Sequence, residues 1–156
     1  MSATGVVSAD MLMSYDGVSF LHALLDGTLP PPPITETLGF RLAAVEPGRV
    51  VFEGEPQFRH YNPIGSVHGG FAMTLLDSAL GCAVHSMLQK GETYTTLEIK
   101  VNLVRPLTKD TGLVSAEGRI LHRGRTVGTA EGDIKDASGK LYAHATTTCM
   151  IFPAKG

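Results

Sequence analysis

The sequence predicts an α+β domain in which an antiparallel sheet wraps one long helix. Three observations carry this reading. Val67 to Leu88 is a long, nearly continuous apolar stretch. Several segments between Leu38 and Phe152 read as strands, and Thr96 to Leu103 alternates polar and apolar residues with the period of two that marks a half-buried strand. Short turn signals join the later strands, as antiparallel neighbours require.

The elements follow in order. Residues 1 to about 14 read as a weakly ordered tail. Gly17 to Asp26 reads as a short amphipathic helix with Phe20, Leu21, Leu24 and Leu25 on one face, and Gly27 suits its left-handed C-terminal cap. Pro30 to Pro33 reads as an extended linker. This divides the chain into residues 1–33, a tail, helix and linker, and residues 34–156, the main domain.

Leu38 to Ala44 and Arg49 to Glu55 read as strands around a Glu46-Pro47-Gly48 turn. The helix from about Val67 to Leu88 is apolar nearly all round, the mark of a buried helix. It would be ~33 Å long. Next comes a strand in which Leu97, Ile99, Val101 and Leu103 alternate with Thr96, Glu98, Lys100 and Asn102, ended by Pro106. Leu113 to His122, Thr126 to Ile134 and Leu141 to Phe152 form a meander through turns at Arg123-Gly124-Arg125 and Ala137-Ser138-Gly139. One sheet with few helices leaves edge strands open, so a homo-oligomer is expected to close them.

Composition limits the function. The chain has 156 residues, 43% hydrophobic and 18% charged, which fits one globular domain. A net charge of -2 gives no reason to expect nucleic acid or an anionic membrane as partner. No apolar run is long enough to span a bilayer, and residues 1–14 lack the pattern of a signal peptide. Two cysteines, Cys82 and Cys149, make neither a disulfide framework nor a metal-ligand spacing. A cytoplasmic protein without a metal or cofactor is the expectation.

The candidate chemistry lies between Asn62 and Asp77. His68-Gly69-Gly70 stands where the long helix begins. Helix N-termini carry unpaired N–H groups and a positive dipole end, and glycine lets a ligand approach the backbone. Such a place can polarise a carbonyl, although a glycine pair also serves close packing. Asp77 is the only formally charged residue between Arg59 and Lys90. It is expected to be buried and to need donors to stay ionised, and Asn62 and Thr96 are candidates by type. Asp77 follows Gly69 by eight positions, ~12 Å and about 80° around one helix. Both cannot reach one reacting group within a chain. Either they are unrelated, or two antiparallel helices of a two-fold dimer bring Gly69 of one subunit to Asp77 of the other.

The run His60-Tyr61-Asn62-Pro63-Ile64-Gly65-Ser66-Val67-His68-Gly69-Gly70, followed by Leu75-Leu76-Asp77-Ser78-Ala79, closely resembles the PaaI-type hotdog-fold thioesterases. Thr95 to Asn102 and Arg105-Pro106 resemble the family's next strand. The resemblance spans about Leu38 to Phe152. It implies a hotdog fold and hydrolysis of an acyl-CoA thioester by homodimers that commonly pair into homotetramers. It implies that the Gly69 N–H polarises the carbonyl while Asp77 of the facing subunit acts as general base or nucleophile. Asn62, His68 and Thr96 would position the carbonyl, water or thiolate. Gly70, Met73 and His60 would line the substrate site, and the turn of Arg123, Gly124 and Arg125 would meet the CoA phosphates. On charge alone that turn is an ordinary solvated hairpin. Two alternatives are a non-catalytic acyl-CoA binding module and an enoyl-CoA hydratase. No appended DNA-binding segment supports the first, and the second uses an Asp/His arrangement not found here.

Overall fold

The computed structural model describes residues 3–155. Four α-helices precede or fill the sheet among the described residues: α1 (Ala9–Ser14), α2 (Gly17–Leu25), α3 (Pro33–Leu38) and α4 (Gly69–His85). The strands are β1 (Phe40–Glu46), β2 (Arg49–Gly54), β3 (Glu92–Leu103), β4 (Val114–Arg123), β5 (Val127–Asp136) and β6 (Leu141–Pro153). They form one sheet in the order β1-β2-β4-β5-β6-β3, antiparallel at every pairing. The expected meander is β4-β5-β6, and β3 closes one edge.

Helix α4 packs against five of the six strands. Leu75, Leu76, Ala79, Leu80, Ala83 and Val84 are fully buried beneath them. Close approach depends on small residues in the sheet. A Cβ placed on Gly118 of β4 would collide with the Ala79 carbonyl oxygen. Outside, Arg49, Glu117, Arg119, Asp133 and Lys135 make a ladder of ion pairs across β2, β4 and β5. The Arg49 guanidinium lowers the Glu117 carboxyl below its ordinary range, with Arg119 adding to the effect.

Four expectations need correction. The tail is partly helical, because Ser8 caps α1 by accepting from the Met11 N–H; residues 1–2 lie outside the described part. Pro33 opens α3 instead of ending a linker, since proline's missing N–H is harmless at a first helical position. Gly39, left-handed at φ 69°, then stops α3 before β1. Helix α4 is shorter than the apolar stretch. The Val67 and His68 N–H groups donate to Leu107 and His60 carbonyls, which holds both residues outside the helix. At the other end Met87 and Leu88 donate to Val84 and His85, closing a tight last turn. Finally, the sheet does not cover α4 all round. Met73 and Asp77 of α4 are exposed on the uncovered side.

The N-terminal helices join the core. Leu21 of α2 is 1% exposed, and the Gly17 N–H donates to the Leu88 carbonyl at 2.9 Å. Phe20 stacks on His85 at 5.0 Å, and His85 meets Tyr94 edge-on at 5.5 Å. Burial pushes the His85 imidazole down to about 4 from 6.5. The unfolded chain therefore takes up this proton at a higher pH than the folded chain does. Stability from the neutral ring is complete above pH 6.5 and is lost as pH falls through 4, an effect of up to about 3 kcal/mol. His85→Phe keeps an aromatic stack and should flatten the unfolding free energy across that window. Parallel loss in wild type and variant would refute the assignment. Among the described residues, no helix is long and apolar enough to cross a membrane.

Candidate active site

Two recesses flank α4. Asn62, His68 and Gly69 line the first, together with Arg105 and Tyr142. Met73, Asp77, Thr96 and Ile99 line the second. Asn62, His68 and Gly69 thus form one group, and Asp77 and Thr96 another, on the same chain.

The first group is built by the loop before α4. The Asn62 side-chain oxygen accepts from the Ile64 and Ser66 N–H groups at 3.0 and 3.2 Å, and its amide donates to the Ser66 hydroxyl. This is the local closure that asparagine favours in turns. Gly65 completes the loop at φ 94°. His68 is the N-cap of α4: its Nδ1 accepts from the Gly70 N–H at 2.8 Å. A ring nitrogen that accepts carries no proton, so the neutral ring holds its proton on Nε2, directed outward from the cap. The Phe71 N–H donates to the His68 carbonyl. Gly69, the first helical residue, has no intrahelical acceptor for its N–H, and none from elsewhere takes it among the described residues. That donor stands at the positive end of a helix of 17 residues.

The second group is built by a bulge. The pairing of β3 with β6 shifts between Thr96 and Glu98. The extra residue, Leu97, is 58% exposed and borders the second recess. Simple alternation would have put Leu97 on the same face as Ile99; the bulge gives that face to Thr96 instead. The Thr96 hydroxyl then donates to Asp77 Oδ1 at 3.0 Å. Asp77 itself is exposed, contrary to the expected buried acid, because it stands on the side of α4 that the sheet leaves open. Neither thiol nearby is a candidate nucleophile. Burial, with the charge of Asp77 adding to it, pushes the Cys82 thiol up to about 12, and burial also raises Cys149.

The remaining candidates are scattered. Gly70 follows Gly69 in the first turn of α4, and Met73, 43% exposed, lies between Gly69 and Asp77. His60 is buried, stacked on Phe71 at 4.6 Å, and its Nδ1 accepts from the Gln57 N–H. It lines neither recess. Arg123 is bound within the fold: it pairs with Glu92 and donates to the Met87 and Gly124 carbonyls. Arg125 is exposed at the same turn. The turn sits at the C-terminal end of α4, ~26 Å along the helix from Gly69. Arg105 was not singled out as a site residue by sequence. Its signal is its place as the one cation among the residues lining the Gly69 recess.

Comparison with known proteins bears on the family of the chain. The family described as Thioesterase superfamily matches residues 64–143, just over half of the chain. The 1,4-dihydroxy-2-naphthoyl-CoA hydrolase of Listeria monocytogenes is 28% identical over 118 residues, 76% of this chain and 94% of its own. Acyl-coenzyme A thioesterase 13 of Homo sapiens is 27% identical over 108 residues, 69% of this chain and 76% of its own. A mutant form of the phenylacetic acid degradation protein PaaI of Thermus thermophilus superposes with a TM-score of 0.68 at 30% identity, covering 76% of this chain and 97% of its own. By its hotdog fold and by these relatives, the chain belongs to the thioesterase superfamily as a PaaI-like thioester hydrolase.

Proposed function

We propose that the chain hydrolyses an acyl-CoA thioester, with an aryl or medium-chain acyl group, to the free acid and CoA in a site shared by two subunits. One observation carries the reading: a free Gly69 N–H and a Thr96-held Asp77 lie in separate recesses of one chain. Each recess has what the other lacks. A two-fold dimer with antiparallel α4 helices supplies both to one substrate, twice. The free edge of β3, the last strand of the sheet, offers the seam for such a dimer, or for a dimer of dimers.

In this reading the thioester oxygen accepts from the Gly69 N–H, and charge grows on that oxygen as attack proceeds. Asp77 of the partner subunit takes a proton from water while the water oxygen bonds to the carbonyl carbon. The C–S bond then breaks, and the thiolate receives that proton. Direct attack by Asp77 would give a transient anhydride that water opens. A thiolate leaves readily, so a carboxylate base and one fixed donor suffice. Thr96 holds the carboxylate by its hydroxyl. Asn62 and His68 border the carbonyl, Gly70 keeps the approach open, and Met73 faces the acyl group. His60 shapes the loop from below through its stack on Phe71.

For the CoA phosphates we assign Arg105 beside Gly69, and Gly124 with Arg125 from the exposed turn; Arg123 holds that turn by its bond to Glu92. Both cysteines are free, in keeping with a reducing, cytoplasmic setting. The test is thiol release from a panel of aryl- and alkyl-CoA esters by the wild-type protein. Turnover of at least one class is expected. Binding to CoA esters without release of thiol from any of them would refute the proposal.

A further inference from the structure

Arg41, Arg49, Arg119 and Arg123 each pair with a carboxylate. Arg105 borders the Gly69 recess and pairs with none among the described residues. Its surroundings fix it all the same. The Val104 and Arg105 N–H groups both donate to the Tyr142 carbonyl, at 3.0 and 3.1 Å. The Arg105 Nε donates to the Leu141 carbonyl at 3.2 Å. Its guanidinium carbon lies 5.9 Å from the centre of the Tyr142 ring, within reach of a cation–π contact. The Nε bond uses one guanidinium N–H; among the described residues no acceptor takes those on Nη1 and Nη2.

The tyrosine is fixed in turn. Tyr142 is 7% exposed and also lines the Gly69 recess. Its hydroxyl donates to Asp136 Oδ2 at 3.1 Å. The other oxygen of that carboxylate accepts from the Ser138 hydroxyl and from the Ser138 and Lys140 N–H groups. The Ser138 hydroxyl first, then the Lys140 N–H, hold the Asp136 carboxyl down at about 2, so it stays an acceptor. The turn between β5 and β6 thus anchors Tyr142, and Tyr142 carries Arg105. An arginine side chain normally gives up rotamer freedom when it binds. Leu141 and Tyr142 have already removed much of it here, and the free Nη groups form a planar fork suited to paired anionic oxygens.

Resting on the proposed function above, we propose that Tyr142, tied to Asp136, is a positioning residue that presets the Arg105 guanidinium as a fork for a phosphate of CoA. Tyr142 touches no reacting atom. It acts through Arg105, on the hold over the nucleotide end of the substrate. A carboxylate on an acyl group would offer the fork the same chemistry, and the experiment separates the two sources.

The readout is the ratio of kcat/KM for an acyl-CoA to that for the matching acyl-pantetheine, which carries the same thioester but no phosphate. Any partial loss of folded enzyme cancels in this ratio. Arg105→Gln should lower it about tenfold, the worth of a charged hydrogen bond. Tyr142→Leu removes the ring and should lower it about threefold. Adding Tyr142→Leu to Arg105→Gln should lower it no further, because the tyrosine acts only through the arginine. An unchanged ratio in active, folded Arg105→Gln or Tyr142→Leu overturns the inference, and so does a further threefold fall in the double variant. Should Tyr142→Leu not fold, Arg105→Lys decides. It keeps the charge but loses the fork and the bond to Leu141, so the ratio should fall at least threefold; a wild-type ratio overturns the inference. An acyl carboxylate on the fork would leave the CoA ratio unchanged in Arg105→Gln and lower kcat/KM for glutaryl-pantetheine relative to pentanoyl-pantetheine, which also overturns it. Wild type inert on every ester would defeat the functional reading instead. The same ratios are then read from the Kd values of CoA and pantetheine, with the same expected and contrary results.

Discussion

Replacing Asp77 by alanine is expected to lower kcat by about a thousandfold, within the range that a positioned base supplies, while the fold survives. The second half of this expectation follows from the surface position of the residue. Asp77 is exposed on α4, and its side chain bonds only the Thr96 hydroxyl among the described residues. Removing it leaves no buried donor stranded, and alanine is a good helix former. A change of Tm within a few degrees, with near-complete loss of thiol release, is the expected pair of results. KM should move little, because the carboxylate acts on the attacking water more than on bound substrate. Thr96→Val should show a milder loss, since it removes the hydroxyl that orients the carboxylate but keeps the carboxylate itself. Full activity in Asp77→Ala would remove the base from the account.

Gly69→Pro is expected to lower kcat by about a hundredfold or more. Gly69 is the first residue of α4, the position where proline's fixed φ and missing N–H are best tolerated. The preceding His68 sits at φ -57° and ψ 135°, a conformation that a following proline accepts. The substitution therefore deletes one N–H and little else. A Cβ at Gly69 would meet only the flexible end of Leu103, at 2.7 Å, and the tip of Met73, at 3.8 Å. Gly69→Ala keeps the N–H and makes the same small intrusion. It should retain most of the activity. Equal losses in Gly69→Ala and Gly69→Pro would point to space, not the donor, as the role of Gly69.

Much of the fold was legible because its signals are local. The apolar run of α4 and the short turns of the β4-β5-β6 meander name their elements without reference to the rest of the chain. Three features were not legible because distant partners create them. The bulge at Leu97 exists only in the pairing of β3 with β6, and it decides that Thr96 faces Asp77. Arg123 looks like a solvated turn residue until Glu92 is brought beside it. Asp77 looked buried because its neighbours in sequence are apolar; which side of α4 the sheet leaves open is a property of the whole fold. The separation of Gly69 from Asp77, by contrast, followed from helix geometry alone, and the two recesses have the same division.

The shared site is the centre of the account, and mixing two inactive variants tests it most directly. Asp77→Ala and Gly69→Pro are each unfolded, combined in equal amounts and refolded, then assayed for thiol release. A mixed dimer holds one site in which the intact Gly69 of one subunit faces the intact Asp77 of the other. Random pairing makes half of the dimers mixed, each with one working site of two, so activity should return to roughly one quarter of the wild-type value. No recovery in refolded, mass-verified mixed dimers would place Gly69 and Asp77 in separate roles and contradict the shared site.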